Sequence, residues 1–290
     1  MLIKKTIPTK EKKQYELGAV LVYIFTGIAL LEIALLFGMI ITFALPVLLH
    51  STDAPPLSWD WSPAQKQFGI LTMLVGSLLL ATLALIFSVP LALAITGWVI
   101  ALGKGKLLQL VNFTIRFMTT IPTVVYAFAA LFLLTPVIRQ ALGGTGMSWL
   151  TAAIMVNILI LPTMVLILVA GMRSKLEELL TCGLTLGFSK FELFIYFVLP
   201  NSKKTLLAAI MLGFGRAIGD TLLPLMLAGN ATQIPENLTQ SMRTLTAHMA
   251  LVTANEVGGA AYNSLFVAGF LLLLISACIS ISVKYLSKEK

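Results

Sequence analysis

The sequence contains few charged residues, and this shortage excludes most soluble proteins. Charged side chains make up 11% of its 290 residues, whereas soluble domains carry about 25%. Hydrophobic residues account for 58%, and the mean hydropathy is +0.97. These values predict an integral membrane protein.

Cysteine and histidine are also scarce, with two of each. Cys182 falls in a connection between apolar runs and Cys278 within such a run, so the pair predicts neither a disulfide nor a metal site. His50 and His248 have no second ligand nearby, which favours loop or interface positions. The sequence has no H-E-x-x-H motif and no Ser/His/Asp arrangement, so nothing in it favours a membrane-embedded enzyme.

An ATP-binding phosphate loop is missing as well. Its pattern is G-x-x-x-x-G-K-[ST]. The nearest segment, Gly97 to Gly105, has one residue too many and no Ser or Thr after Lys104. We therefore expect this chain to bind no cofactor. If its work uses ATP and Mg²⁺, a separate ATPase subunit binds them.

Long uncharged runs dominate what is present. Gln67–Gly103, Gln140–Met172 and Val257–Val283 carry no charge, and each exceeds the roughly 20 residues of a spanning helix. A backbone in lipid must satisfy its own hydrogen bonds, which favours helices. The sequence thus predicts an all-α membrane protein with six transmembrane helices, at about 18–49, 70–101, 121–138, 149–171, 205–229 and 261–284.

Lysine and arginine are distributed unevenly between the loops. With both termini in the cytoplasm, 16 of the 20 face inside, while Lys66, Arg139 and Arg243 face outside and Arg216 lies in a helix. This is the positive-inside pattern of a multi-pass membrane protein. The net charge of +8 therefore reflects the orientation of the chain in a lipid bilayer. It does not indicate a nucleic-acid partner.

The predicted organisation is a single membrane domain. A cytoplasmic N-terminal tail covers 1–17, the transmembrane domain covers 18–286, and a cytoplasmic C-terminal tail covers 287–290. The first apolar run is far longer than the 7–15-residue core of a signal peptide, which predicts an uncleaved span. The longest cytoplasmic connection is predicted at 173–204.

Two sites place ionisable residues inside predicted spans, where such residues usually face a bundle interior or a cavity. Glu32 stands alone in the first span, and we interpret it as protonated or bonded to a neighbouring helix or subunit. Arg216 and Asp220 are four residues apart in the fifth span, a spacing that places them on one helical face. Two interpretations stay open for this pair: a structural ion pair, or part of a hydrophilic path, because the arginine fork suits phosphate-like oxyanions.

The connection before the fifth span carries a distinctive motif, which begins with a glycine and ends with a proline. Its residues are Gly187, Phe188, Ser189, Lys190, Phe191, Leu199 and Pro200. This segment resembles the cytoplasmic loop of ABC importer permeases, whose pattern is roughly E-A-A-x-x-x-G followed by L-P. The sequence departs from the family at Thr181, Cys182 and Gly183, which hold the E-A-A positions.

Four further segments are similar to the phosphate permease subunits of this family. They are LSWDWSPAQKQFGIL at 57–71, IPTVVYAF at 121–128, GRAIGDTLLPLMLAGN at 215–230 and QIPENLTQSMRTLTAHMA at 233–250. Ala127 stands where that family has glycine, and Asp220 where it has glutamate.

The resemblance implies a type I permease bundle that imports inorganic phosphate across a bacterial cytoplasmic (inner) membrane. Its implied partners are a second homologous permease, a cytoplasmic ATPase dimer and an extracytoplasmic phosphate-binding protein. On this reading the segment from Gly187 to Pro200 is a coupling helix, with Phe188, Phe191 and Phe194 as an apolar anchor. A plainer interpretation is that these phenylalanines sit in the membrane interface.

Other functions stay open at this point. A permease for molybdate or tungstate would differ only in cargo. A secondary transporter or channel would work without an ATPase, and a phosphate-sensing scaffold would be an added role.

Overall fold

The computed structural model describes residues 9–50, 55–255 and 258–288. The chain forms a bundle of helices with one small hairpin. The helices are α1 Thr9–His50, α2 Leu71–Gly97, α3 Gly105–Thr120, α4 Thr123–Leu142, α5 Trp149–Thr185, α6 Lys190–Leu193, α7 Lys203–Gly219, α8 Leu222–Leu227, α9 Leu245–Asn255 and α10 Gly259–Lys288.

Short elements connect these helices. Two π-helical turns, Trp98–Leu102 and Phe194–Val198, follow α2 and α6. Strands β1 Trp61–Ser62 and β2 Gln67–Phe68 pair antiparallel, with Trp61 opposite Phe68. Single turns of 3₁₀ helix cover Pro63–Gln65 and Pro200–Ser202.

The core lies where α2, α5 and α7 meet. Small residues allow these helices to approach closely: Ala81, Ala84 and Ala153 are fully buried. At Gly213 of α7, a methyl group would lie 2.9 Å from the sulfur of Met164 on α5. By contrast, α1 packs mainly against α10 and exposes most of its apolar side chains.

Most predicted spans coincide with helices. The spans 18–49 and 261–284 lie within α1 and α10, and 149–171 lies within α5. The span at 70–101 matches α2 together with its π-helical turn. The span at 121–138 corresponds to α4, which begins at Thr123 and continues to Leu142.

The prediction of one continuous helix over 205–229 is wrong. Helix α7 ends at Gly219, and Asp220 has an extended backbone with φ −73° and ψ 132°. Helix α8 then has only six residues. The residues N-terminal to α7 supply the length that the fifth span needs. There Lys190–Val198 and Pro200–Gly219 form a pair of helices bent by 51°. In the described ranges, five helices are long and apolar enough to cross a membrane, or six if this pair counts as one span.

The predicted connection at 173–204 also differs in detail. Helix α5 continues without a break to Thr185, so residues 173–185 of this connection are a helical extension of the fourth span. The helix α3 was not predicted at all. Of the predicted tails, residues 9–17 and 287–288 are helical and continuous with α1 and α10, while 1–8 and 289–290 lie outside the described residues.

Candidate functional site

The chain reverses direction at Gly187, directly after α5. Gly187 has φ +87°, in the left-handed region that glycine adopts without steric cost. The backbone N–H of Gly187 donates to the carbonyl of Leu184 at 3.1 Å, and that of Phe188 donates to Gly183 at 3.1 Å. These bonds satisfy the last carbonyl groups of α5. The predicted turn at Gly187 is present.

A capping box begins α6 immediately after this turn. The Ser189 hydroxyl accepts from the backbone N–H of Glu192 at 3.2 Å, and a Glu192 carboxylate oxygen accepts from the Ser189 N–H at 2.8 Å. The backbone bond and the hydroxyl bond from Ser189 lower the pKa of Glu192. Both exchanged bonds satisfy N–H groups that a helix start leaves free, so the motif's Ser189 fixes where the short helix begins.

The phenylalanines of this segment have different roles. Phe194 is 4% exposed, and its ring packs on Gly97 of α2, where a methyl group would lie 2.6 Å from Cε1. Phe191 is 40% exposed. Phe188 is half-buried and meets Phe197 edge to face, with ring centroids 5.3 Å apart. Phe194 therefore anchors the segment inside the protein, while Phe191 is available to another surface.

Two further contacts hold the segment against α5. The side chain of Leu193 is 2% exposed and fills the space above Gly183, where a methyl group would lie 2.4 Å from Cδ2. At the other end, Lys175 Nζ donates to the carbonyl of Asn201 at 2.7 Å and to the Ser202 hydroxyl at 3.3 Å. Glycine at 183, one of the departures from the family motif, thus has a packing reason.

The end of the motif directs the chain into α7. The N–H of Leu199 donates to the carbonyl of Phe194 at 2.9 Å, which closes the π-helical turn. Pro200 has no N–H to continue that turn and starts a 3₁₀ turn instead. The predicted coupling residues therefore form one folded unit. Lys190, Phe191 and Pro200 lie on its exposed surface.

Arg216 and Asp220 do not form the ion pair that their spacing suggests. The helix ends between them, and no ion pair joins them in the described structure. Arg216 is half-buried, and its Nη1 donates to the Thr163 hydroxyl of α5 at 2.5 Å. A carboxylate oxygen of Asp220 accepts from the Leu223 N–H at 2.9 Å and so caps α8. The i, i+4 argument was wrong because it assumed a continuous helix.

Further polar contacts join different parts of the bundle. The Ser88 hydroxyl of α2 donates to the Asn157 amide oxygen of α5 at 2.6 Å. The Thr246 hydroxyl of α9 donates to the backbone carbonyl of Asp220 at 2.8 Å. Thr163 and Thr246 were missed from the sequence, because single threonines in apolar runs give no signal until the helices are packed.

The predicted outer side has its own polar surface. One cavity of about 590 Å³ lies between the hairpin and the loop before α9, lined by Trp59, Asp60, Thr232 and Gln233 among others. A second, of about 600 Å³, shares Gln233 with the first. This loop is pinned at its ends by the Arg243 Nε, which donates to the Asn230 carbonyl at 2.9 Å.

The remaining singled-out residues fall elsewhere. His248 is fully buried in α9, so of its two predicted positions, loop or interface, the loop is wrong. It packs edge to face against Trp61, with centroids 4.2 Å apart. Burial and the nearby Arg243 cation lower the pKa of His248 to about 3. Glu32 lies on the exposed surface of α1, and Cys182 and Cys278 are exposed on α5 and α10.

The sequence matches a family of known proteins and several individual relatives. A family model described as a binding-protein-dependent transport system inner membrane component matches residues 88–290. A probable ABC transporter permease protein of Bacillus subtilis is 30% identical over 238 residues, covering 81% of this chain and 76% of the relative. The phosphate transport system permease protein PstC of Pasteurella multocida is 26% identical over 281 residues, covering 89% and 85%.

A solved structure is similar over nearly the whole chain. It is a chain from a bacterial alginate ABC transporter, crystallised in complex with an alginate pentasaccharide-bound periplasmic protein. The TM-score is 0.66 at 13% identity, covering 96% of this chain and 95% of that one. At this identity the likeness shows the fold alone.

Proposed function

Because the chain belongs to the family of binding-protein-dependent transport system inner membrane components, we propose that it is the permease subunit through which an ATP-driven importer moves inorganic phosphate. The family membership makes it a membrane-embedded ABC transporter permease subunit. The cargo, the partners and the roles of individual residues are the proposed part.

The assignment of phosphate as the cargo rests on the guanidinium of Arg216, which has no carboxylate partner among the described residues. Only Nη1 has a hydrogen-bond partner among the described residues, the Thr163 hydroxyl. The remaining N–H donors form a planar fork that matches the oxygens of a phosphate ion. A half-buried cation without a carboxylate partner attracts an anion strongly, because little water screens it. The similarity to PstC supports phosphate as that anion.

Asp220 supports phosphate over fully deprotonated oxyanions. Phosphate keeps at least one proton at neutral pH, because its last proton dissociates only far above neutral pH, and that proton needs an acceptor. One carboxylate oxygen of Asp220 caps α8, which leaves the other without a hydrogen-bond partner in the described chain. A permease for molybdate or tungstate has no such proton to bind, so an ionised carboxylate near the path would repel its cargo.

The coupling segment supports a separate ATPase as partner. Phe191 and Lys190 are exposed at its tip, while Phe194 and Leu193 join its base to α2 and α5. Movement of a partner against the tip would therefore be transmitted to both helices. We propose that ATP binding closes an ATPase dimer, shifts this segment, and switches the bundle between outward-facing and inward-facing states.

Other surfaces suit the remaining partners. Apolar side chains on α4, such as Phe132 and Leu133, are 65% and 71% exposed, which suits a second permease that completes the path. The outer cavities beside Trp59 and Gln233 suit an extracytoplasmic binding protein that delivers the phosphate. We place both termini in the cytoplasm on the charge pattern described above.

The test is reconstitution in liposomes with a candidate second permease, ATPase and binding protein. Radiolabelled phosphate should accumulate only with ATP, and excess arsenate should compete while molybdate should not. ATP-driven uptake of molybdate instead of phosphate would overturn the cargo. Uptake that persists without ATP hydrolysis would overturn the importer mechanism and favour a secondary transporter.

A further inference from the structure

Helix α3 lies at a membrane boundary rather than across the bilayer. It joins the end of α2 to α4, and α4 alone has 20 residues, which reach about 30 Å and span the hydrocarbon core. The 16 residues of α3 therefore have no membrane thickness left to cross. On the proposed topology, α3 lies at the cytoplasmic surface.

One face of α3 is attached to the protein. Ile115 is 7% exposed, and Leu108 and Val111 pack against the same core cluster. These positions recur at intervals of three and four residues, as on one side of a helix. This face holds α3 against α5 and against the π-helical turn Trp98–Leu102.

A second face is apolar and exposed. The side chains of Leu107, Leu110, Phe113 and Phe117 are 57%, 59%, 64% and 53% exposed. Phe113 and Phe117 stack with ring centroids 5.8 Å apart and planes 12° apart, so they form one continuous apolar surface. Such a surface needs a non-aqueous neighbour.

The exposed polar side chains of α3 and its N-cap are basic or neutral. Lys104 and Lys106 lie at its start and Arg116 near its end, and all three are exposed. No acidic residue occurs between 104 and 120. An apolar stripe beside basic residues is typical of helices that lie in the plane of a membrane surface, whereas the core of a protein interface is depleted of lysine.

We propose that α3 is an interfacial helix that binds anionic phospholipids of the cytoplasmic leaflet. Its exposed apolar face enters the acyl boundary, and Lys104, Lys106 and Arg116 bind the headgroup phosphates. The π-helical turn that α3 touches follows Gly97, on which Phe194 packs. Lipid bound to α3 thus supports the helix end that receives the coupling segment.

Spin labels on the full chain in nanodiscs test the location of α3. Single cysteines at Leu110, Gln109 and Ile115 are introduced after Cys182→Ala and Cys278→Ala, with the second permease present. A label at 110 should collide with oxygen and be protected from a water-soluble nickel chelate, and one at 109 should show the reverse. The buried 115 serves as the protein-contact reference. Protection of 110 from both reagents would mean that the second permease covers α3 and would overturn the lipid assignment.

Native mass spectrometry tests the headgroup contacts. The triple variant Lys104→Gln/Lys106→Gln/Arg116→Gln should bind phosphatidylglycerol about fivefold more weakly per removed charge, and phosphatidylcholine unchanged. The charge-conserving variant Lys104→Arg/Lys106→Arg/Arg116→Lys should keep the binding. Equal phosphatidylglycerol retention by the two variants would overturn the proposal, whatever the cargo of the transporter.

Discussion

Phe194 of the coupling segment packs its ring against the bare backbone of Gly97 on α2. A methyl group at 97 would lie 2.6 Å from Cε1 and 3.2 Å from Cδ1 of that ring. Because Phe194 is almost fully buried, the ring cannot move aside without shifting the segment. This contact ties the surface proposed to meet an ATPase directly to a helix of the core.

Gly97→Ala should therefore loosen the coupling segment. Overpacking of this kind typically costs about 1–3 kcal/mol, and we expect ATP-driven uptake to fall while the chain stays inserted. Gly215→Ala is the matched control, since a methyl group there meets nothing within 4 Å. Uptake by reconstituted liposomes is the measurement. Equal uptake by the two variants would show that the contact carries no motion.

Gly187 offers a backbone test of the same segment. Its φ of +87° disfavours residues with a Cβ by about 1–2 kcal/mol, although the space around it is open. Gly187→Asn should retain most ATPase binding because asparagine tolerates this conformation, whereas Gly187→Val should lose it. Pull-down of the ATPase from membranes measures the difference. Identical binding by both variants would contradict a role for the turn.

The capping box should make α6 sensitive to acid. Ser189→Ala should destabilise the start of this helix by about 1 kcal/mol. The lowered pKa of Glu192 means that its carboxylate stabilises the cap above its unfolded-state pKa, and that this contribution is lost as the pH falls through the folded-state pKa. After correction for the pH dependence of the intrinsic exchange rate, the hydrogen-exchange protection of residues 189–193 should therefore decrease on acidification in the parent. In Glu192→Gln, the protection factors of the same residues should not respond to this pH change.

Much of the fold was predictable, and the failures have identifiable causes. The uncharged runs located α2, α5 and α10, and the first apolar run located α1. The predicted all-α type I ABC permease fold is confirmed by the helices and the structural relative. Helix α3 was missed because Lys106 and Arg116 interrupt its apolar pattern. The break at Asp220 was missed because a side-chain cap on a later N–H leaves no periodic signal.

The candidate site was predictable only as far as local motifs reach. Gly187, Ser189 and Pro200 act through neighbours within a few residues, so their order in the chain indicates their structure. The contacts of Phe194 with Gly97 and of Arg216 with Thr163 join distant helices. They depend on the packing register of the bundle, which one sequence does not specify.

The Arg216–Thr163 hydrogen bond gives a test of the proposed path. Arg216→Gln should lower phosphate uptake about tenfold or more, because hydrogen bonds to charged groups contribute roughly 1.5–3 kcal/mol. Thr163→Val removes the hydroxyl at nearly constant shape and should raise the half-saturating phosphate concentration, while Thr163→Ser should restore it. Uptake is measured at several phosphate concentrations. Parental rates for Arg216→Gln in a correctly assembled complex would rule out charge compensation.

His248 should make the outer side of the bundle acid-sensitive. The imidazole is fully buried beside Trp61 and has no hydrogen-bond partner in the described structure. Burial lowers its pKa to about 3, against about 6.5 in the unfolded chain. Between these values the unfolded state binds more protons, so stability falls as the pH drops from about 6.5 towards 3. His248→Phe keeps the aromatic packing and should flatten this part of the pH profile of the melting temperature in detergent. A profile as steep as the parent's would mean that another group controls the acid response.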